Sequence, residues 1–338
     1  MQLFGRNLQQ DVAIVAEIGV NHEGSEESAL KLIDLAIDAG ADAVKLQTYT
    51  PERYASASDP ARLARVTRFS LSHDAHRRLA RHAEKRGGIL FSTALTEDVV
   101  PFLAEWCPVI KVASGDLVFE PTIRAVAATN KPVIISTGNA TVDEIDAALG
   151  WFRDEAGPEA VAQRVIIMHC VASYPAPIEQ ANILSVPYLQ RRFGLQTGYS
   201  NHVVEPEAIY AAVALGATVI EAHFTDQKHG REFRDHAMSF SPEEFAEMVV
   251  RSRRIRASLG LFEKKPEACE RPLRNAMRKG LIAARDIAAG EILTAGALIY
   301  ARPAGNFSAA DLPSLLGRTL AAPLGRGESI TLKHLRET

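Results

Sequence analysis

The sequence predicts an α/β fold, a (β/α)8 TIM barrel followed by a small second domain. Eight short runs rich in β-branched residues alternate with amphipathic helical stretches. The alternation fills about 250 residues, the usual length of such a barrel. Charge then changes sign along the chain. From Lys264 to Thr338, twelve Lys/Arg stand against seven Asp/Glu, an excess of +5, which leaves −8 on the rest of a chain whose net charge is −3.

The apolar runs are Val12–Gly19, Ala43–Thr48, Ile89–Ala94, Val109–Ser114, Pro132–Gly138, Val165–Cys170, Gly194–Ser200 and Val219–Phe224. Helical patterns fall at Ser25–Ala39, Ser72–Arg86, Thr96–Glu105, Glu120–Thr129, Thr141–Arg153, Glu205–Leu215 and Ser241–Leu259. Thr141 with Glu144 reads as a capping box, and Ser241-Pro242-Glu243-Glu244 combines an N-cap, proline at the first helical position and early acids. Gly40, Gly87 and Gly216 sit where glycines end helices. Strand–helix alternation implies a parallel sheet clad in helices. An open doubly wound sheet is the runner-up, but its first strand usually leads into GxGxxG, and here it leads into AEIGVNHEG.

The predicted barrel occupies residues 1–262, a polar, proline-punctuated linker 263–279, and the second domain 280–338. The tail holds a weak repeat: Ile287–Thr294 matches Leu324–Thr331, each followed four residues on by a leucine, Leu298 or Leu335. Short strands with glycine turns and little helix are expected there.

Composition bounds the function. Hydrophobic residues make up 47% and charged residues 23%, as in soluble globular proteins. The small net charge leaves no footprint for nucleic acid or an anionic membrane. No apolar run is long enough to span a bilayer, and the N-terminus lacks the core of a signal peptide. Cys107, Cys170 and Cys269 form no paired framework and read as reduced thiols of a cytoplasmic protein.

In a barrel of this kind, functional side chains gather at the C-terminal ends of the strands. Those ends supply Glu17, Asn21 and His22; Lys45 and Gln47; Ser92 and Thr93; Lys111, Ser114 and Asp116; Ser136 and Thr137; His169, Cys170 and Tyr174; Ser200 and His202; Glu221 and His223. One polar residue in a buried strand can be a satisfied core group. Eight strands turning polar at one end imply an active site. Lys45 and Lys111, with the hydroxyls of Thr93, Ser114, Ser136 and Ser200, suit a phosphorylated, carboxylated anion. His202 and His223, from neighbouring strand ends, suit Mn2+, Zn2+ or Fe2+ with open positions for substrate or water. His73, His76 and His82 lie on a charged helical stretch and are expected at the solvated surface.

The motifs AEIGVNHEG (16–24), VKLQTY (44–49), FSTA (91–94), IKVASGDL (110–117), KPVIISTGNAT (131–141), HCVASYPAP (169–177), GYSNH (198–202), EAHFTD (221–226), RDHAMSFSPEEFAEMV (234–249) and RPAGN (302–306) run the length of the chain. Together they resemble the sialic acid synthases, which include the N-acetylneuraminate, legionaminate and pseudaminate synthases and their spore-coat polysaccharide relatives. The tail is similar to that family's antifreeze-like SAF domain. The resemblance implies a metal-dependent condensation of phosphoenolpyruvate with an amino-sugar aldehyde in a domain-swapped homodimer. It implies a divalent ion on His202 and His223, Mn2+ first, with Mg2+, Co2+ or Zn2+ as alternatives. Phosphoenolpyruvate would meet Lys45, Thr93, Lys111, Ser114, Ser136 and Ser200. The sugar would meet Gln47, Asp116, Tyr174, Asp235 and, from the partner's tail, Arg302. Glu17 would be the catalytic carboxylate.

The chain departs from the family pattern at four places. Ala172 stands where Asn or Ser is common, Asn201 where Asp is commoner, and Asp116 where the best-known N-acetylneuraminate synthases have Glu. The segment from Tyr49 to Ser72, which helps cover the sugar, is shorter than usual. These departures bear on which sugar is used. Two rival readings are a related phosphoenolpyruvate-dependent 3-deoxy-sugar-acid synthase or pyruvate aldolase, and a non-catalytic carbohydrate- or ice-binding protein. The tail argues against the first, the retained lysines and histidines against the second.

Overall fold

A computed structural model describes residues 1–335 and divides into two compact units, Met1–Gly260 and Leu261 onward. In the first unit, eight parallel strands close into a barrel in chain order. They are β1 (Ala13–Gly19), β2 (Ala43–Thr48), β3 (Leu90–Ala94), β4 (Ile110–Val112), β5 (Val133–Ser136), β6 (Val165–Cys170), β7 (Gln196–Asn201) and β8 (Val219–His223). β8 pairs with both β7 and β1, which completes the ring. Each predicted run holds one strand, with β7 reaching one residue past its run to Asn201. The run at 109–114 is cut shortest, because the chain leaves the ladder into a 3-10 turn at Ser114–Asp116.

Side-chain alternation divides β1, β2 and β8 between two environments. Val15, Ala43, Phe91, Met168 and Val219 belong to one buried cluster, and the alternate residues Ile14, Ala16, Val44, Leu46, Ile220 and Ala222 to another that includes Leu32, Ile33 and Phe245 of the helices. Each fully buried side chain of that size contributes roughly 1.5–3 kcal/mol. Gly198 on β7 belongs to this close packing, since a Cβ there would lie 2.6 Å from the Val219 carbonyl oxygen.

The helices are α1 (Glu26–Asp38), α2 (Pro51–Tyr54), α3 (Pro60–Phe69), α4 (His73–Lys85), α5 (Val100–Trp106), α6 (Glu120–Ala128), α7 (Val142–Ala156), α8 (Ala160–Arg164), α9 (Ser185–Phe193), α10 (Glu207–Ala214) and α11 (Pro242–Ser258). The expected capping box forms at Thr141, and the N-cap expected at Ser241 proves to be a capping box as well, closed by Glu244. Helices α2, α3, α8 and α9 were not expected. In α3 only Val66 and Phe69 are buried, and its arginines hide the apolar period. Its start is nevertheless marked: the Asp59 side chain accepts the Arg62 amide, and Pro60 occupies the first turn.

The expectation of a solvated histidine face on α4 holds for His73 and fails for His76. His73 is exposed, stacked 3.8 Å from the Phe102 ring. His76 is 1% exposed. Its Nδ1 lies 2.9 Å from the Ser72 carbonyl and its Nε2 3.0 Å from Thr48 Oγ1, so both ring nitrogens are satisfied inside the protein. His82 is half-buried, 2.7 Å from Asp34. The charged residues around these positions conceal the buried stripe of Ala75, His76, Leu79 and Ala83.

His22, after β1, is also buried, and burial together with nearby His76 lowers its pKa to about 3. An unfolded histidine titrates near 6.5. Below that pH the unfolded chain binds a proton that folded His22 refuses, so its contribution is whole above pH 6.5 and is lost as pH falls toward 3. Stability is expected to drop by up to about 1.4 kcal/mol per pH unit through this site. Urea midpoints of the wild type and His22→Gln between pH 6.5 and 4.5 check this. Equal slopes in both proteins would count against it.

The second unit bears out the repeat as a pair of matched halves. Ile287 and Leu324, equivalent positions of the two copies, form an antiparallel bridge in which each amide donates to the other's carbonyl at 2.9 Å. Gly290 and Gly327 both take positive φ, 87° and 83°, at the equivalent turns. Leu293, Ile330, Leu298 and Leu335 all enter one small core. Strands β9 (Gly280–Ala283) and β10 (Leu298–Ala301) pair antiparallel beside it. The stretch read as a linker, 263–279, carries a 3-10 segment at Ala268–Leu273 and a helical turn at Arg274–Met277. Residues 336–338 of the expected domain lie outside the described residues.

Candidate active site

Register places the polar strand ends side by side. β1 pairs Glu17 with Lys45 and, on its other edge, with His223. Gln47 pairs with Thr93, Thr93 with Lys111, Cys170 with Ser200, and Ser200 with Glu221. These side chains line a cavity of about 170 Å3 inside the barrel, together with Ser114, Ser136, Tyr174, His202 and Asp235 from strand ends and loops.

Four buried charges form its floor. Lys45 Nζ lies 2.7 Å from Glu17 Oε2 and 3.6 Å from Glu221 Oε1, and donates to Thr93 Oγ1 at 2.7 Å. Lys111 Nζ donates to both Glu221 oxygens at 3.2 Å. Ser200 Oγ donates to Glu221 Oε1 at 3.1 Å. Burial would pull the Lys45 pKa down, but Glu17 and Glu221 outweigh it and hold it above the ordinary lysine range. Burial would raise Glu221, but Lys111 and Lys45 take it to about 2. Burial dominates at the other two, raising Glu17 and lowering Lys111. A carboxylate that accepts a proton more readily than usual therefore sits beside two lysines already held close together.

Glu17 is oriented by Gln47, whose Nε2 donates to Glu17 Oε1 at 2.9 Å. Gly19 makes room for that contact: it has φ +49°, and a Cβ there would lie 2.9 Å from Glu17 Oε1 and 3.1 Å from Gln47 Nε2. Ser114 Oγ accepts the Gly138 amide at 3.0 Å and faces Cys170 Sγ at 3.0 Å. Ser136 Oγ is buried with no hydrogen-bond partner among the described residues. A buried hydroxyl so left is costly unless a ligand completes it.

The two histidine rings stand 5.6 Å apart. His202 Nδ1 donates to the Val171 carbonyl at 2.6 Å, which leaves Nε2 with a free lone pair. Burial, reinforced by His223, lowers its pKa to about 3, so the ring is neutral. His223 Nδ1 is 3.9 Å from Asp235 Oδ2, and Asp235 Oδ1 is buried without a hydrogen bond among the described residues. Two imidazoles side by side, one held by a carbonyl and the other near a carboxylate, fit a divalent ion. Among the described residues no group of three His, Cys, Asp or Glu could hold one, so two protein ligands would leave positions for substrate and water.

Of the residues expected to bind metal or substrate, Asp116 and Arg302 are not among the cavity's lining, and of the other polar strand ends neither are Asn21, His22, Ser92, Thr137 and His169. Asp116 is half-buried, which raises its pKa to about 6. Arg302 lies in the second unit, where its Nε donates to the Met277 carbonyl at 2.6 Å. The cavity also contains residues given no role from sequence: Glu221, Cys170, Tyr54, Phe233 and Arg234. Glu221 was legible, because it precedes His223 by two on one strand and must share its face.

Comparison with known proteins then places the chain. Residues 32–264 match the NeuB family, and residues 278–336 match the SAF domain. The chain belongs to the NeuB family. As a NeuB-family protein it is 35% identical over 319 residues to the N,N'-diacetyllegionaminic acid synthase of Campylobacter jejuni, covering 90% of this chain and 94% of that one. It is 32% identical to a pseudaminic acid synthase of the same species, over 99% of this chain and all of that one. A sialic acid synthetase from Leptospira borgpetersenii superposes with a TM-score of 0.73 at 31% identity, covering 79% of this chain and 92% of that one. This NeuB-family chain is thus an enzyme, built on a TIM barrel with a C-terminal SAF domain. No helix among its described residues is long and apolar enough to cross a membrane.

Proposed function

We propose that the chain condenses phosphoenolpyruvate with the aldehyde of an N-acyl amino sugar, giving a sialic-acid-like nonulosonate and phosphate. N-acetylmannosamine and 2,4-diacetamido-trideoxyhexoses are the sugars of that class. The observation that carries this reading is the pair of buried lysines beside two histidines at one barrel mouth. One half suits a small polyanion, the other the activation of a carbonyl.

Lys45 and Lys111 take the charged groups of phosphoenolpyruvate, with hydrogen bonds from Thr93, Ser114, Ser136 and Ser200. Glu221 touches both lysines and holds them within reach of one ligand. Gln47, Tyr174 and Asp235 position the sugar, with Asp116 as a further contact and Arg302 supplied by the partner subunit. A divalent ion on His202 and His223, Mn2+ by preference, would polarise the aldehyde as a Lewis acid. The double-bond electrons of phosphoenolpyruvate form the bond from C3 to the aldehyde carbon, whose carbonyl π pair moves onto the aldehyde oxygen, and that oxygen takes a proton to become a hydroxyl. Water adds to C2 and passes its proton to Glu17, whose raised pKa suits it as acceptor. Phosphate then leaves with the electrons of its C–O bond, as the C2 hydroxyl gives up its proton and closes to the ketone.

Phosphate should appear only when phosphoenolpyruvate and an amino sugar are both present. Pyruvate consumption without phosphate would instead mark an aldolase. The shared-site reading has its own test. Arg302→Ala and Lys111→Ala, each inactive alone, should regain activity on subunit exchange, because a mixed dimer holds one intact site. Mixed dimers with no recovery, or a fully active monomer, would refute it.

A further inference from the structure

The chain after β8 leaves the barrel at Phe224 and returns at Phe240, where the two residues form a bridge. Between them it delivers Phe233, Arg234 and Asp235 to the catalytic cavity. It does so with little regular structure beyond a 3-10 turn at Arg234–Met238. An irregular excursion must find partners for its backbone groups outside itself. Two such partners come from the turn that follows β1.

Asn21 is the first. Its Nδ2 donates to the Phe224 carbonyl at 2.9 Å and to Ser239 Oγ at 3.2 Å, and Ser239 Oγ donates in turn to the Asp235 carbonyl at 2.7 Å. Glu23 is the second. One of its oxygens, Oε1, accepts the amide of Glu232 at 2.9 Å and that of Phe233 at 3.0 Å. The same oxygen lies 3.5 Å from Nε2 of the buried His236 ring. Glu23 therefore meets the chain on both sides of Asp235. Hydrogen bonds from an amide to a carboxylate are charge-assisted and stronger than neutral ones.

The backbone at Glu23 takes φ +50°, a conformation uncommon for any residue but glycine. A residue so held marks a place where the surroundings override local preference. The turn is braced as well. The Glu23 amide donates to the Val20 carbonyl at 2.8 Å, the Ser25 amide to the His22 carbonyl at 2.9 Å, and the Gly24 amide to His22 Nδ1 at 3.1 Å. A glutamate that only solvated the surface would gain nothing from this geometry. Glu23 is not among the lining of the catalytic cavity, so it acts on the site through the chain it holds. That chain places Asp235 3.9 Å from His223 Nδ1. The two lysines are anchored elsewhere, Lys45 on Glu17 and Thr93, Lys111 on Glu221.

We propose that Glu23 is a positioning residue, which fixes the segment after β8 so that Asp235 is presented to the sugar and to His223. The inference rests on the condensation and on the role of Asp235 proposed above.

The test measures KM for N-acetylmannosamine and for a 2,4-diacetamido-trideoxyhexose at saturating phosphoenolpyruvate and Mn2+. Phosphoenolpyruvate affinity is measured separately by calorimetry. Glu23→Ala should raise KM for the sugar by about tenfold or more, as expected when a positioning group is displaced, and leave phosphoenolpyruvate affinity at the wild-type value. Amide exchange over residues 226–240 should quicken in the same variant. Glu23→Asp keeps the charge but draws the oxygens back by one methylene, so it should show a smaller rise in KM. Glu23→Gln keeps an acceptor oxygen for both amides and should regain most of what Glu23→Ala loses. If Glu23→Ala does not fold, Glu23→Asp decides by the same split. Sugar KM unchanged in the variant that decides, Glu23→Gln as impaired as Glu23→Ala, or phosphoenolpyruvate affinity falling in step with sugar KM, overturns the inference and leaves the proposed reaction standing. Failure of the wild type to yield phosphate with either sugar overturns the reaction itself, and the inference with it.

Discussion

Lys111→Ala is expected to weaken phosphoenolpyruvate binding by about 1.5–3 kcal/mol or more, the range of a lost charge-assisted hydrogen bond. It should also destabilise the fold, because Lys111 is buried against both oxygens of Glu221. Removing one member of a buried pair costs on the order of 3–5 kcal/mol, since the other charge is stranded. The two effects can be separated. Lys111→Met combined with Glu221→Gln removes both charges at similar volume, so it should recover stability without recovering affinity. Urea unfolding and calorimetry of phosphoenolpyruvate binding make the comparison. Affinity equal to wild type in Lys111→Ala would contradict the assignment of this lysine to the anion.

His223→Ala should leave the barrel folded and lower kcat by a thousandfold or more, the several kcal/mol of about 1.4 per decade that a Lewis acid supplies. The ring lies at the end of β8, beside Glu17 in the ladder, and its removal leaves the fully buried strand residues Val219, Ile220 and Ala222 untouched. Metal content by elemental analysis should fall in parallel with activity. Wild-type turnover that survives exhaustive chelation, matched by His223→Ala, would show that no ion acts there.

The barrel was readable because its strands are short β-branched runs buried on both faces, and its helix starts carry capping chemistry. The site was readable for a related reason: lysine, glutamate and histidine are too costly inside strands to occur there idly. What escaped the sequence has physical causes. Glu221 passed as one more polar strand end, because a carboxylate's worth depends on which charges surround it, and Lys45 and Lys111 reach it from distant strands. His76 was misplaced because charged neighbours mask a stripe whose polar member is satisfied by Thr48 and Ser72. Helix α3 was missed because its three exposed arginines lower the apolar content of a short helix in which only Val66 and Phe69 are buried.

The measurement nearest the central claim uses phosphoenolpyruvate carrying heavy oxygen at the bridge between C2 and phosphorus. The enzyme, Mn2+ and this substrate are mixed with a panel of 2-acetamido and 2,4-diacetamido hexoses, and products are read by mass. Water addition at C2 and C–O cleavage predict a sugar lengthened by three carbons, one phosphate per product, and the heavy atom in the phosphate. Label retained in the keto acid, or phosphate formed with no lengthened sugar, would contradict the account.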